Sequence, residues 1–154
     1  MDGMELAVAE ARKALVEGEV AVGAVLMRGD EVIWADHNRR EQLHDPTAHA
    51  EMLCLRHGAE ALGDWRLQDC TLYVTLEPCP MCSGAVINSR IKRLVYGAAD
   101  KKAGCARSVT NLFDMPFNHK PEIVSGVLEE ECASLLQDFF RELRKSKKKE
   151  KPKA

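Results

Sequence analysis

The chain has 154 residues, 45% of them hydrophobic and 30% charged, which is typical of a single globular domain. It contains no run of about 18 apolar residues, which excludes a membrane-spanning segment. The N-terminus lacks the basic and apolar regions of a secretory signal peptide. We therefore expect a cytoplasmic protein whose six cysteines stay reduced and serve metal binding or packing.

Charge is distributed unevenly around a net value of -2. From Arg141 to the end there are eight basic and two acidic side chains, against 14 basic and 22 acidic ones before it. We expect one domain over residues 1–146 and a basic, disordered tail over residues 147–154. Such a tail is typical of a solubilising segment, and an arm that attracts phosphate groups is the second interpretation.

The first part of the chain is predicted to form a helix and a hairpin. Apolar residues recur at helical spacing over residues 2–17, and Gly18 follows as a stop signal. Two β-rich runs, 20–27 and 31–35, are separated by R-G-D, which indicates a hairpin. The polar segment 36–47 is predicted to be a loop.

The remainder is predicted to alternate between helices and strands. Thr47 is a suitable N-cap for a helix over 48–61, which ends at Gly63. The further predicted elements are a strand over 71–76, a helix over 80–89, a strand over 93–96, a long loop over 97–121, a strand over 122–127 and a helix over 129–146. A hairpin followed by this alternation favours a three-layer α/β fold with a mixed sheet, in which 71–76 and 93–96 are parallel neighbours.

A Cys-x-x-Cys pair carries the first chemical signal. Cys79 and Cys82 are one helical turn apart, so both sulfurs can reach one metal ion. Pro80 lies at the predicted helix start, where backbone N–H groups and the positive end of the helix dipole favour thiolate. A redox dithiol or two packed core cysteines are the alternative interpretations.

His49 and Glu51 lie upstream in D-P-T-A-H-A-E. Two residues apart, they would face different directions in mid-helix, but at a helix tip both can border one point. The two predicted helix starts are therefore expected to converge on one metal site. Considered alone, His49 would be interpreted as a buried histidine, and Glu51 as a negative charge that stabilises the first turn of a helix. Together with Cys79 and Cys82, the two residues favour a metal site.

Three protein ligands leave a zinc ion with one position open for water, as in catalytic zinc sites. Zinc lowers the pKa of such a water to about 7, and Glu51 is close enough in sequence to take and return its proton. The other histidines and cysteines lack the spacing of a fourth ligand; they are His37, His44, His57, His119, Cys54, Cys70, Cys105 and Cys132.

These motifs resemble those of the bacterial tRNA adenosine deaminases, within the cytidine-deaminase-like superfamily. H-A-E with P-C-x-x-C is the signature by which zinc deaminases are known. E-V-A-V-G-A-V-L, H-N-R, D-K-K-A-G-C, F-N-H and D-F-F extend the likeness from about Glu5 to Arg144. The resemblance implies a homodimer, a five-stranded mixed sheet between helical layers and one catalytic Zn²⁺ per subunit. It also implies hydrolysis of adenosine to inosine at the wobble position of a tRNA anticodon, typically that of tRNA-Arg.

The resemblance also implies roles for individual residues. His49, Cys79 and Cys82 would hold zinc, and Glu51 would shuttle protons. The expected substrate contacts are Asn38, Val20, Ala50 and Leu76 around the nucleoside, Asp100 and Lys102 on the long loop, and Phe140, Arg141 and Arg144 on the last helix. Without the resemblance, the three apolar residues would be ordinary core positions and the loop charges merely exposed.

Two other functions remain open. A guanine or nucleoside deaminase of the same fold shares D-P-T-A-H-A-E, and a non-catalytic RNA-binding module stabilised by zinc would need four protein ligands and no Glu51. Ala21, Ala99 and Arg107 depart from the usual pattern of the tRNA deaminases, which bears on the choice of tRNA.

Overall fold

A five-stranded mixed sheet forms the centre of the molecule. The computed structural model describes residues 2–150, with side chains for residues 2–148. The strands are β1 (Gly23–Arg28), β2 (Glu31–His37), β3 (Cys70–Leu76), β4 (Arg93–Ala98) and β5 (Glu122–Val124). Their order is β2-β1-β3-β4-β5. β1 is antiparallel to β2 and β3, whereas β3–β4 and β4–β5 are parallel, so the predicted mixed sheet is confirmed.

Helices cover both faces of the sheet. They are α1 (Gly3–Val16), α2 (Arg40–Leu43), α3 (Ala50–Leu62), α4 (Pro80–Asn88) and α5 (Glu129–Glu150). One apolar core joins α3 and α4 to the sheet, and a second joins α1 and α5 to its other face. The predicted three-layer architecture is confirmed. Within residues 2–150, no helix has both the length and the apolar character needed to cross a membrane.

The contact between α1 and β1 depends on a glycine. A Cβ atom at Gly23 would lie 2.0 Å from the carbonyl oxygen of Ala7 and 2.5 Å from the backbone nitrogen of Ala11. Only glycine therefore lets the helix backbone approach the strand this closely. The V-G-A-V run thus sets the depth at which α1 packs on the sheet.

Several strand boundaries differ from the prediction. The strand predicted from residue 20 begins at Gly23, because the N–H of Val22 turns back to the carbonyl of Val20 at 2.7 Å. The last strand ends at Val124 instead of 127, shortly before Gly126 adopts a φ of +76°. In both places, the backbone near the end of the strand therefore lies outside the hydrogen-bond ladder of the sheet.

The segment 36–47 is not the uninterrupted loop that we predicted. Its first two residues extend β2, and α2 follows at Arg40–Leu43. The buried carboxylate of Glu19 accepts the N–H groups of Glu41 and Gln42, at 3.1 and 2.9 Å. This carboxylate satisfies donors at the start of α2 that a four-residue helix cannot satisfy itself.

The predicted N-cap at Thr47 is wrong. The N–H and hydroxyl of Thr47 both donate to Asp45 Oδ1, at 2.8 and 2.7 Å, in a local turn. His49 occupies the N-cap of α3 instead, with an extended backbone and no side-chain cap. The helix therefore starts two residues later than expected, which directs the His49 side chain beyond the helix end.

The last helix is longer than predicted. α5 continues to Glu150, so residues 147–150, which we expected to be disordered, are helical. Lysine and glutamate are good helix formers, and ion pairs such as Lys145–Glu142, 3.6 Å apart, add a little support to the exposed end. The rest of the predicted tail, residues 151–154, lies outside the described residues.

Candidate active site

Three metal-binding side chains meet between two helix N-termini. His49 is the N-cap of α3, and Cys79 is the N-cap of α4, whose first turn contains Cys82. The Nδ1 atom of His49 lies 3.6 Å from the sulfur of Cys79 and 3.5 Å from that of Cys82. All three ligand atoms lie within 4.8 Å of one another. The predicted convergence of the two helix starts is confirmed.

The protonation pattern of this cluster fits a cation. The hydrogen bond with Cys82 lowers the pKa of Cys79 to about 4, and a hydrogen bond from His49 acts in the same direction. The hydrogen bond to Cys79 raises the pKa of His49. Cys79 is thus a thiolate whose charge is balanced by neighbouring protons, which a metal ion would replace on binding.

Two sulfurs and one imidazole nitrogen match the donor set of zinc. Zinc takes thiolate at about 2.3 Å and imidazole at about 2.0–2.1 Å, and separations of 3.5–3.6 Å between donors suit a tetrahedral ion. In the described part of the chain, no other group of three such side chains is close enough to bind a metal. Cys105 is buried, and its thiol points to the carbonyl of Ala103 at 3.6 Å.

Glu51 lies beside the cluster. It is in the first turn of α3, only 4% exposed, and it borders the cavity that also reaches His49 and Cys79. Burial raises the pKa of Glu51 to about 7. A carboxyl group poised near neutrality can both accept and donate a proton, which is the property of a general acid and base.

The cavity has a volume of about 520 Å³ and holds most of the predicted substrate contacts. Asn38, which is 4% exposed, borders it at the end of the β2 segment. The other predicted residues in the lining are Val20, Ala50, Leu76, Asp100, Lys102 and Phe140.

The last helix divides its residues between core and cavity. Phe139 is 8% exposed and Phe140 is 46% exposed, as we expected for adjacent residues that cannot share a face. Phe140 borders the cavity, but Arg141 lies outside the lining, with its Nη1 atom 3.3 Å from Asp138. A role for Arg141 in substrate contact stays a prediction.

Sequence reasoning missed several residues of the cavity. Arg40 and Lys101 add positive charge, and Leu136 adds an apolar contact from α5. The helical spacing of Leu136 and Phe140 was available in the sequence. Nothing in the sequence pattern placed Arg40 there, because its position depends on the capping of α2 by Glu19.

Glu77 is the least expected member of the lining. Its carboxylate is 2% exposed and accepts hydrogen bonds from the segment 100–108. Burial acts to raise the pKa of Glu77, but hydrogen bonds from Ser108 and from the backbone of this segment outweigh it, and the pKa lies below its ordinary value. The E-P-C-P-M-C motif drew attention to its cysteines and not to this residue.

Comparison with known proteins decides the family. The sequence model of the MafB19-like deaminases matches residues 1–144. The tRNA-specific adenosine deaminase of Bacillus subtilis (strain 168) is 55% identical over 146 residues, which cover 94% of this chain and 91% of that protein. This chain is a member of the tRNA-specific adenosine deaminase family. The resemblance inferred from the motifs is confirmed, and zinc is the cofactor that the family uses.

Solved structures extend the likeness of this deaminase. A chain from a study of A-to-I editing by tRNA:A34 deaminases at the wobble position of transfer RNA superimposes with a TM-score of 0.85 and 47% identity. The match covers 87% of this chain and 98% of the other. A guanine deaminase from Bacillus subtilis gives a TM-score of 0.63 and 29% identity, over 94% and 95% of the two chains.

Proposed function

We propose that this deaminase hydrolyses adenosine to inosine at the wobble position of a tRNA anticodon, with tRNA-Arg as the expected substrate. One observation carries the proposal: the buried carboxyl group of Glu51 borders a deep cavity together with His49 and Cys79 of the three-residue zinc site. The high identity to a tRNA-specific adenosine deaminase supports the choice of substrate. We assign this activity to one domain over residues 1–146 and place it in the cytoplasm.

The chemistry divides between the cofactor and the chain. His49, Cys79 and Cys82 would hold zinc, which would supply an activated water as the nucleophile. Glu51 takes a proton from that water and delivers it to the ring nitrogen next to the carbon that bears the amine. Glu51 would then take the proton of the hydroxyl that has added to this carbon and pass it to the amine as the carbon–nitrogen bond breaks, so that ammonia leaves and the carbonyl forms. Adenosine and water are thereby converted to inosine and ammonia.

The cavity would hold the extruded base. Asn38 is the expected hydrogen-bond partner of the nucleoside, and Val20, Ala50 and Leu76 are the expected apolar walls. An anticodon loop is single-stranded, so extruding its base costs less than it would in a duplex. We propose that Asp100, Lys102 and Phe140, on the rim, contact the neighbouring nucleotides, and that Arg141 approaches the RNA from the outer side of α5.

We further propose a homodimer. A second depression of about 310 Å³ lies between α3 and α4, and its lining includes Met52, Leu55, Trp65 and Ala85. Trp65 is 54% exposed and adds an aromatic face to this depression. A partner subunit would cover this apolar surface. Measurement of the mass in solution tests the dimer independently of catalysis.

Guanine deamination is the second candidate function. The likeness to the guanine deaminase of Bacillus subtilis favours it, since the two chains share a fold over nearly their whole length. The cations Arg40, Lys101 and Lys102 on the rim argue for a substrate with phosphates beyond the reacting base.

A substrate comparison distinguishes the two functions. The purified zinc-loaded protein is incubated with an anticodon stem-loop bearing a wobble adenosine, with the same stem-loop bearing guanosine there, and with free guanine. We expect inosine from the first substrate only. Turnover of free guanine, without inosine formation in the stem-loop, would assign the second function.

A further inference from the structure

We propose that Glu77 is a positioning residue, which fixes the substrate-facing loop 99–108 against the segment that carries the metal ligand Cys79. The inference deepens the proposed function, because this loop borders the cavity that would take the wobble nucleotide. Asp100, Lys101 and Lys102 of the loop all line that cavity. A loop held in one place would present these charges to RNA without a cost of ordering on binding.

The carboxylate of Glu77 gathers donors from both ends of the loop. Its Oε1 atom accepts the N–H of Asp100 at 3.1 Å and the hydroxyl of Ser108. Its Oε2 atom accepts the N–H groups of Ala106, Arg107 and Ser108, at 3.1, 2.9 and 2.9 Å. Five donors therefore converge on one buried side chain, and they lie on both sides of the cavity-lining residues 101–103.

Only a carboxylate satisfies this arrangement. Both oxygens accept, and a glutamine would turn an NH₂ group towards donors at one of the two positions. That change would leave buried N–H groups unpaired, in addition to removing the charge. The acid is thus required by the pattern of donors and not merely by the space available.

Gly104 is fitted to the same carboxylate. A Cβ atom at Gly104 would lie 2.3 Å from Glu77 Cδ and 2.4 Å from Glu77 Oε2. It would also lie 2.5 Å from the carbonyl oxygen of Asp100, so neither neighbour offers room. The loop can wrap around Glu77 only with glycine at this position, which is a second and independent feature of the same contact.

Backbone hydrogen bonds connect the anchored loop to the segment that carries Cys79. The N–H of Glu77 donates to the carbonyl of Ala98 at 2.8 Å, just before the loop begins. The N–H of Cys105 donates to the carbonyl of Pro78 at 2.8 Å, one residue before Cys79. Together with the five bonds to the Glu77 carboxylate, these backbone bonds hold the loop cations at a fixed distance from the place where the base would react.

The competing explanation is that Glu77 only supports the metal site, since it lies two residues from Cys79. In that case its loss would release zinc and would affect every substrate alike. Loss of loop positioning would instead weaken binding of a long substrate whose flanking nucleotides meet the loop. It would leave zinc content unchanged and would raise KM for the stem-loop more than KM for free adenosine.

The test uses four variants of the full chain. Glu77→Gln removes the paired acceptors, Gly104→Ala displaces the carboxylate, and Ser108→Ala removes a single donor. Glu60→Gln is the matched control, because Glu60 is an exposed acid on α3 away from the loop. Each is measured for zinc content, for KM and kcat on a wobble-adenosine stem-loop and on free adenosine, and for the rate of trypsin cleavage after Lys101 and Lys102.

We expect Glu77→Gln to raise KM for the stem-loop by about 10- to 100-fold, the effect of losing a charge-assisted hydrogen bond. One zinc ion per chain should remain, and trypsin should cleave the loop faster. Gly104→Ala should change KM and loop cleavage in the same direction as Glu77→Gln, and Ser108→Ala should change them less. Glu60→Gln should give the wild-type values.

Zinc loss that accounts for the whole defect, or unchanged KM and unchanged loop protection, would overturn the proposal. If Glu77→Gln does not fold, Gly104→Ala and Ser108→Ala decide the question in the same way. If the wild type fails to deaminate the stem-loop, the proposed function fails, whereas the proteolysis and zinc measurements still report on Glu77.

Discussion

The Nδ1 atom of His49 lies 3.6 Å from the sulfur of Cys79, although 30 positions separate them in the sequence. Each residue is the N-cap of a helix, and neither uses its side chain to cap that helix. Both side chains are therefore free to turn towards a common point. The candidate metal site forms because two helices begin at the same place, and each begins with a candidate ligand.

Metal analysis should find one zinc ion per chain with an incomplete set of protein ligands. X-ray absorption at the zinc edge should show two sulfur and two lighter donors, because Cys79 and Cys82 supply the sulfurs and His49 one nitrogen. Removal of zinc by a chelator should abolish deamination and lower the melting temperature. A third sulfur in the coordination sphere would contradict the open position.

Asn38→Ala should impair catalysis without affecting the metal. Loss of one buried hydrogen bond to the nucleoside should lower kcat/KM by about 10- to 100-fold. The control is Gln68→Ala, which removes an exposed side-chain amide before β3. Equal kcat/KM for Asn38→Ala and the wild type, at equal zinc content, would exclude Asn38 from substrate binding.

Lys102→Ala should change the salt dependence of RNA binding. If Lys102 contacts one phosphate of a single-stranded segment, the slope of log affinity against log salt should fall by about 0.7. Lys92→Ala, at the opposite end of β4, should leave the slope unchanged. An unaltered slope for Lys102→Ala would place the phosphates elsewhere on the rim.

Asp36→Asn should destabilise the protein in a pH-dependent way. Asp36 is 6% exposed, and its carboxylate accepts hydrogen bonds from Arg39, from the backbone of His37 and from Trp34, at 2.7, 2.9 and 3.2 Å. Burial acts to raise the pKa of Asp36, but these bonds outweigh it, so the pKa lies below 3.8.

Because the folded-state pKa is depressed, the contribution of Asp36 is fully present above pH 3.8 and is lost as the pH falls through the folded-state value. At pH 7 we expect Asp36→Asn to cost about 1.5–3 kcal/mol in unfolding free energy. The difference from the wild type should narrow at acid pH, whereas the exposed control Asp69→Asn should show little effect. A difference that stays constant from pH 7 to pH 3 would contradict this account.

The cluster of His49, Cys79 and Cys82, with Glu51 beside it, could be predicted from the sequence because its signals are local. Cysteine spacing, a proline at a helix start and a histidine near a second helix start each restrict one short segment. The wrong prediction of Thr47 as the N-cap had little effect on the predicted site. Thr47 forms a turn with Asp45, and the N-cap of α3 is His49 itself. The predicted convergence of these residues is confirmed, whereas the predicted helix boundary is wrong.

Two of the contacts that the sequence did not predict depend on distant buried carboxylates. Glu19 stabilises α2 from more than 20 positions away, and Glu77 orders a loop that begins more than 20 positions after it. Neither acid differs in local pattern from an ordinary exposed glutamate. Their roles follow from unpaired backbone donors that no periodicity reveals.

Single-turnover deamination by Glu51→Gln tests the central claim most directly. The wild-type protein and the variant, each with one zinc ion per chain, are mixed in molar excess with a stem-loop that carries a wobble adenosine. Inosine is then quantified at the wobble position. We predict complete conversion by the wild type and a rate at least about 10³-fold lower for Glu51→Gln, since a general acid–base contributes about 10²–10⁴-fold and this one would act in two steps. Inosine formation by the zinc-loaded variant at the wild-type rate would contradict the assignment of proton transfer to Glu51.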